Sequence, residues 1–327
     1  MKTLKICIIK LGALGDVVRT TPILEAIKER FPASEIIWVT KKESQEIFKG
    51  NPKINKLVML PYELNEGFDV LYNFDIDKEA TTLALEIKAK EKFGFYNEAG
   101  YPAVFNPGAE YYLNTIFDDE LKKTNKKTYQ QMIFDCAELK WKKQKMEIYL
   151  SEKNKSYAEE FLKNNMIKKG KLIGIHIGSS SRWPSKAWAE DKIEEFIEKA
   201  SVKGYQVIIF GGQNETEKMN RLTRRLNKKG IGIFKNNPEN TIGEFASLVN
   251  LCNIMISGDT LALHISLALG KPTIGLFFCT SPDEIEGYNL LKKIVSPILY
   301  DFFPERMNEY SKELVNSISA EEVLKRI

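Results

Sequence analysis

Residues 253–278, NIMISGDTLALHISLALGKPTIGLFF, read as a strand, a helix and a second strand. The apolar runs 253–257 (NIMIS) and 273–278 (TIGLFF) have the length and composition of buried strands. Between them a small-residue helix over 260–269 starts at Gly258-Asp259-Thr260 and is closed by Gly270, where a helix C-cap favours glycine. Strand–helix alternation of this kind implies a parallel sheet wound on both faces.

The same alternation extends upstream. Strands at 172–177, 205–210 and 231–234 alternate with helices near 186–202, 214–228 and 241–251. Further upstream lie strands at 4–11, 35–40, 55–60 and 68–74. A helix over 22–31 sets Ile23, Leu24, Ile27 and Phe31 on one face, with Pro22 suited to its first turn. Another near 78–90 aligns Ala80, Leu83, Ala84 and Ile87. A third, at 125–139, turns Tyr129, Met132, Ile133, Cys136 and Ala137 inward. Capping boxes mark helix starts at Thr241…Glu244 and Ser319…Glu322, and the final helix 319–327 fits on either half. The pattern restarts after the polar stretch 163–171. This predicts two doubly wound Rossmann-like domains, 1–165 and 166–327, facing each other across a cleft. A length of 327 residues agrees, at about 150 residues per domain.

Composition narrows the function. With 43% hydrophobic and 28% charged residues the mix is that of a soluble globular protein. A net charge of +4, from 48 basic and 44 acidic residues, is too slight for a dedicated nucleic-acid binder. No apolar run reaches membrane-spanning length, and 1–11 is too short and too charged for a secretory signal. Cys7, Cys136, Cys252 and Cys279 are scattered and read as reduced core thiols of a cytoplasmic protein. Two histidines, His176 and His264, make a histidine-built zinc centre improbable.

In such sheets ligands sit beyond the carboxyl ends of the strands. Three strand-to-helix junctions stand out. In the first, Leu11-Gly12-Ala13-Leu14-Gly15-Asp16, two glycines admit left-handed backbone or a close molecular approach, and Asp16 reads either as a helix N-cap or as a catalytic carboxylate. Neither a dinucleotide fingerprint nor a P-loop is present. The second, 178–188 (GSSSRWPSKAW), sets Ser180, Ser181, Arg182 and Lys186 ahead of a helix. It suits either an anion site or a capped loop anchored by Trp183 and Trp188. In the third, Asp259 or Thr260 is the natural N-cap, and His264 lies about one turn later, able to face the same side.

Together these segments resemble the lipopolysaccharide heptosyltransferases of glycosyltransferase family nine, nearly along the whole chain and in order. KICIIKLGALGDVVRTTPILEAIKERFP is similar to that family's opening, SSSRWPSKAW to its phosphate-binding stretch, and SGDTLALHISLALGKPTIGLF to its most specific motif. The resemblance implies a GT-B fold and inverting transfer of a heptose or related sugar from a nucleotide-sugar, ADP-heptose by analogy, to a lipopolysaccharide-core or related glycan acceptor. It makes Asp16 the general base. Lys186 with Ser180 or Ser181 holds the donor diphosphate, Asp259 contacts the sugar, and Thr260 and His264 surround the phosphates. Glu215, in Gly211-Gly212-Gln213-Asn214-Glu215, matches the ribose carboxylate. Leu261 and Ala262 replace the family's Gly and Pro, Gly12 its common Ser, and Phe278-Cys279 a frequent Gly-Pro. The reaction type is therefore better indicated than the sugar or base.

No metal or other cofactor is expected, since cationic groups already serve the diphosphate. Gly12 and Asp75 are acceptor-side candidates, and Asp75-Ile76-Asp77 can be read as metal ligands, acceptor contact or helix cap. The lysines of 122–127 and 140–145 read as a solvated face, or as a contact for an anionic acceptor or lipid headgroups. That places the chain in the cytoplasm, with peripheral contact at the inner membrane face. Rival readings are a nucleotide-sugar epimerase, for which two histidines are few, and a silent nucleotide-sugar binder. Retention of Asp16, Lys186, Asp259 and His264 together argues against the silent binder.

Overall fold

The computed structural model describes residues 3–61, 66–168 and 170–327. The chain forms two compact units, residues 1–149 with 283–286, and residues 150–282 with 287–327.

The first unit begins with β1 (Lys5–Ile9), whose apolar run is buried on both faces as a central parallel strand requires. It continues through α1 (Leu14–Thr20), α2 (Ile23–Arg30), β2 (Glu35–Thr40), α3 (Gln45–Phe48), β3 (Lys56–Met59), β4 (Phe68–Asn73) and α4 (Lys78–Glu86). Then follow β5 (Ala89–Glu98), β6 (Tyr101–Val104), α5 (Glu110–Phe117), α6 (Asp119–Thr124) and α7 (Tyr129–Cys136). The sheet order is β3-β2-β1-β4-β5-β6, parallel except for β6. Ala80, Ala84 and Ile87 of the α4 segment pack on Cys7, Ile9, Val39 and Leu71, the inward face that the helical spacing predicts.

The second unit comprises α8 (Glu152–Asn164), β7 (Leu172–His176), α9 (Glu190–Val202), β8 (Gln206–Phe210), α10 (Thr216–Lys228), β9 (Phe234–Lys235) and α11 (Ile242–Leu251). It ends with β10 (Ile254–Gly258), α12 (Leu261–Ala268), β11 (Thr273–Phe277), β12 (Leu291–Val295), α13 (Lys312–Asn316) and α14 (Ala320–Leu324). Its sheet, β12-β11-β10-β7-β8-β9, is wholly parallel. Thr241 and Glu244 form the expected capping box, and Gly270 closes α12 with φ +72°. The final helix α14 buries Ala320, Val323 and Leu324 in this unit's core beside α9.

Several expectations change. The units divide at Tyr149/Leu150 rather than at 165/166, because α8 packs on α11 and belongs to the second unit. The polar stretch 163–171 is the end of α8 and the turn into β7; Lys169 within it lies outside the described residues. The hairpin β5–β6 and the edge strand β12 escaped the apolar-run reading: lysines and glutamates interrupt β5, two lysines interrupt β12, and β6 (YPAV) is short and carries a proline. The four cysteines are buried free thiols.

Candidate active site

In each sheet the chain reverses direction of growth once, between β1 and β4 in the first unit and between β7 and β10 in the second. The crevice beyond the carboxyl ends at such a switch point is where α/β sheets receive ligands.

At the second unit's switch point, β7 delivers His176 and β10 delivers Gly258, Asp259 and Thr260. Lys186 arrives from the 3₁₀ turn Pro184–Lys186, which is pinned on both sides. Ser185 Oγ donates to the Glu309 carbonyl and accepts the Ser311 N–H, while Trp188 Nε1 donates to the Ile318 carbonyl. Between these anchors the Lys186 ammonium reaches Asp259 at 2.9 Å, and it lies 4.5 Å from the Trp183 ring centre. Gly258 permits the approach: a Cβ there would fall 2.1 Å from the Lys186 carbonyl oxygen. His264, one turn into α12, places Nε2 at 3.4 Å from the other Asp259 oxygen. Burial first, and the Asp259 charge, push the Cys279 thiol up to about 11 against the opposing pull of Lys186, so it stays protonated.

Thr260 occupies the N-cap position of α12, but its hydroxyl does not cap. It contacts Ser257 Oγ at 3.0 Å and His176 Nδ1 at 3.2 Å instead. Lys186, Asp259, Thr260 and His264 are thus brought together, and His176 joins them. Ser180 and Ser181 are exposed on the loop leading to Lys186, whose Trp183 N–H is accepted by the Ser180 carbonyl. Glu215 is not bonded to this cluster. Its carboxylate accepts the Gly212 N–H at 2.9 Å, and it lines a cavity of about 290 Å³ with Gly178, Ser179, Ala187 and Lys218. The half-buried Lys218, which donates to the carbonyls of Ile177 and Trp188, had no signal in the sequence beyond its place on a helix. His176 had one, its position at the carboxyl end of a strand.

Burial first, and the Lys218 charge second, lower the His176 pKa from 6.5 to about 4. The imidazole is therefore neutral near pH 7, free to orient the Thr260 hydroxyl. As pH falls the unfolded chain protonates first, so this stabilisation is complete above pH 6.5 and lost on approach to pH 4. At about 1.4 kcal/mol per unit it amounts to about 3 kcal/mol. In denaturant melts at pH 7 and pH 4, wild type should lose about 3 kcal/mol more than His176→Gln; equal losses would contradict the assignment.

In the first unit Asp16 is not an N-cap. Helix α1 starts three residues earlier than a cap reading needs, with Ala13 at the N-cap, and Asp16 lies in the first turn. Arg19 donates to its Oδ1 at 2.7 Å, and the guanidinium is itself held 4.0 Å over the Tyr129 ring. The Asp16 side chain keeps 34% exposure, so a substrate can reach it. Gly12 and Gly15 do not adopt left-handed backbone. What Gly12 supplies is space, since a Cβ there would meet no atom within 4 Å. Asp75 is neither an exposed acceptor contact nor a helix cap. It is buried and paired with Lys10, while Asp77 takes the N-cap position of α4. Within the lysine-rich segments, Lys126, Lys127 and Lys142 pair with Asp283, Asp135 and Glu29, which neutralises part of that surface.

The sequence pattern of glycosyltransferase family 9 (heptosyltransferase) matches residues 60–312, spanning the whole Lys186–Asp259–His264 cluster. The chain belongs to glycosyltransferase family 9. The chain is similar to the lipopolysaccharide core heptosyltransferase OpsX of Haemophilus influenzae, 25% identical over 315 residues, covering 89% of this chain and 84% of that protein. That alignment is longer than the family pattern, which starts beyond the Gly12–Asp16 loop. Among solved structures, a family 9 glycosyl transferase from Veillonella parvula matches with a TM-score of 0.78 at 19% identity, covering 98% of this chain and 95% of that one. The E. coli heptosyltransferase WaaC with ADP matches with a TM-score of 0.63 at 15% identity, covering 99% and 97%. This family 9 glycosyltransferase therefore has the expected GT-B-like pair of Rossmann-like sheets.

Proposed function

We propose that this glycosyltransferase moves a heptose from ADP-heptose to a lipopolysaccharide-core or related glycan acceptor, with inversion at the anomeric carbon. The observation that carries this is the Lys186–Asp259–His264–Thr260 cluster at the second sheet's switch point. Similarity to lipopolysaccharide heptosyltransferases supports it.

In the proposed reaction the acceptor hydroxyl oxygen bonds to the anomeric carbon as the bond to the diphosphate breaks. Asp16 takes the hydroxyl proton, a contribution of about 10²–10⁴-fold. The leaving ADP gathers negative charge, which Lys186, the start of α12 and the hydroxyls of Ser180, Ser181 and Thr260 offset. Preorganised donors of this kind contribute roughly 3–4 kcal/mol each. The ammonium has three donors, so Lys186 can bind phosphate while still holding Asp259. Asp259, held on its other side by His264, is then set to accept from a sugar hydroxyl, and Glu215 takes the ribose. Acceptor-side contacts fall to the first unit around Gly12.

Among the described residues no helix is long and apolar enough to cross a membrane. For a glycolipid acceptor, the lysines at 122–127 and 140–145 supply a surface for anionic headgroups, each exposed lysine contributing about 1 kcal/mol. The lysine surface supports a cytoplasmic enzyme in peripheral contact with the inner membrane face.

A thermal-shift screen of ADP-, GDP-, UDP- and dTDP-sugars tests the donor. Ligand at 100 times Kd stabilises by about 2.7 kcal/mol, so ADP-heptose should raise the Tm and the others should not. A response confined to another nucleotide would contradict the assignment. Transfer should also continue in excess EDTA; complete loss restored by Mg²⁺ or Mn²⁺ would show that a metal serves the diphosphate.

A further inference from the structure

The first sheet's switch point, between β1 and β4, is occupied by side chains of the protein itself. Lys10 follows β1 and Asp75 lies just past β4. They are 2% and 6% exposed and pair at 2.7 Å. The second Asp75 oxygen accepts the backbone N–H groups of Leu11 and, at 3.3 Å, Gly12. Asn73 fixes Asp75 from behind, accepting its N–H at 3.1 Å and donating to its carbonyl at 3.0 Å. Lys10 also donates to the Phe74 carbonyl at 3.3 Å.

A buried ion pair is weak evidence for stability, because removing two charges from water offsets their attraction and an apolar pair often serves as well. This pair does two things an apolar pair cannot. It ties down the backbone from which α1 and Asp16 emerge, and it sets a fixed positive charge near that carboxylate. Burial would lower the Lys10 pKa, but Asp75, Asp16 and Tyr112 together outweigh it, so the ammonium stays charged.

We propose that Asp75 and Lys10 are positioning residues for Asp16, Asp75 by fixing the Leu11–Gly12 backbone and Lys10 by setting the field at the Asp16 carboxylate. This rests on the reading of Asp16 as the base. Other groups acting on Asp16 include Arg19 on its own helix, Tyr112 of α5 and Tyr129 of α7. Burial raises both phenols well above their ordinary range, and Arg19 does not titrate, so none of the three changes charge in the working range.

The test compares Lys10→Met, Asp75→Asn and the double variant with Asp16→Asn, measuring kcat with ADP-heptose from pH 5 to 9, ADP affinity and Tm. Both single variants should lower kcat about tenfold or more with ADP affinity within about twofold of wild type, since the proposed ADP contacts are residues of the second unit and are left unchanged. The acid limb of kcat should move up in Lys10→Met, because a carboxylate that loses a nearby cation holds its proton to higher pH. It should move down in Asp75→Asn. The double variant leaves no unpaired buried charge and so guards against misfolding. Its kcat should stay low, for want of the carboxylate that holds Leu11 and Gly12, with its limb near wild type. If Lys10→Met and the double variant keep kcat within about twofold and Lys10→Met leaves the limb unmoved, while Asp16→Asn is inactive, the positioning role is overturned and the base stands. A kcat loss that merely follows Tm, with unmoved limbs in both single variants, also overturns it. Full activity in Asp16→Asn would remove the base reading itself.

Discussion

Asp16→Asn should lower kcat about 10²-fold or more while leaving ADP affinity within about twofold and the fold nearly intact. The amide keeps the shape of the side chain and an oxygen that can accept from Arg19. No helix cap is lost, because Ala13 holds the N-cap position of α1. The Asp16–Arg19 pair is partly exposed, so weakening it costs about 1 kcal/mol or less, a shift of no more than about 2–4 °C. On the proposed mechanism, what disappears is the atom that receives the acceptor's proton. The loss therefore falls on kcat, whereas the proposed ADP contacts are residues of the second unit. A variant within about threefold of wild-type kcat would leave Asp16 as a structural ion-pair partner, and the base would lie elsewhere.

Lys186→Ala should weaken ADP binding about 10- to 100-fold while leaving adenosine affinity within about twofold. A hydrogen bond to a charged group contributes about 1.5–3 kcal/mol, and each 1.4 kcal/mol is a factor of ten. The loss should be confined to ligands carrying the diphosphate, because the lysine is fixed beside Asp259 and the start of α12. The variant should also be slightly less stable, since Asp259 keeps His264 but loses its ammonium partner. Calorimetry with both ligands decides it: equal weakening for ADP and adenosine would refute a phosphate contact.

The central strands of both sheets were legible in the sequence because parallel strands covered on both faces are almost uninterrupted apolar runs. The strand at 35–40 matches its expected limits, and the others fall within a residue or two of theirs except β9. The edges were not legible. β12, LKKIV, buries little beyond Ile294, and β5 carries three charged residues among its first four positions. Helix α8 was hidden because its capping box uses Asn154 where the pattern sought Glu or Gln.

The Lys186–Asp259–Thr260–His264 cluster was legible because its members sit in one short segment, 257–264, plus a lysine ahead of a helix. The partners that position them come from remote strands: His176 meets Thr260 across 84 residues, and Asp75 meets Leu11 across 64. Local spacing carries no record of such pairs. For the same reason Asp75 read as an acceptor contact or cap when it is a buried brace. The cap alternative for Asp16 stayed open because the sequence does not show that α1 begins at Leu14.

The most direct test of the account is turnover of ADP-heptose by the purified enzyme with a heptose-deficient lipopolysaccharide-core acceptor, followed by mass spectrometry of both products. The account predicts ADP and an acceptor heavier by one heptose, formed in equal amounts and only when both substrates are present. An enzyme that binds ADP-heptose yet adds nothing to any core or related glycan acceptor, or that releases ADP equally well without acceptor, would contradict it.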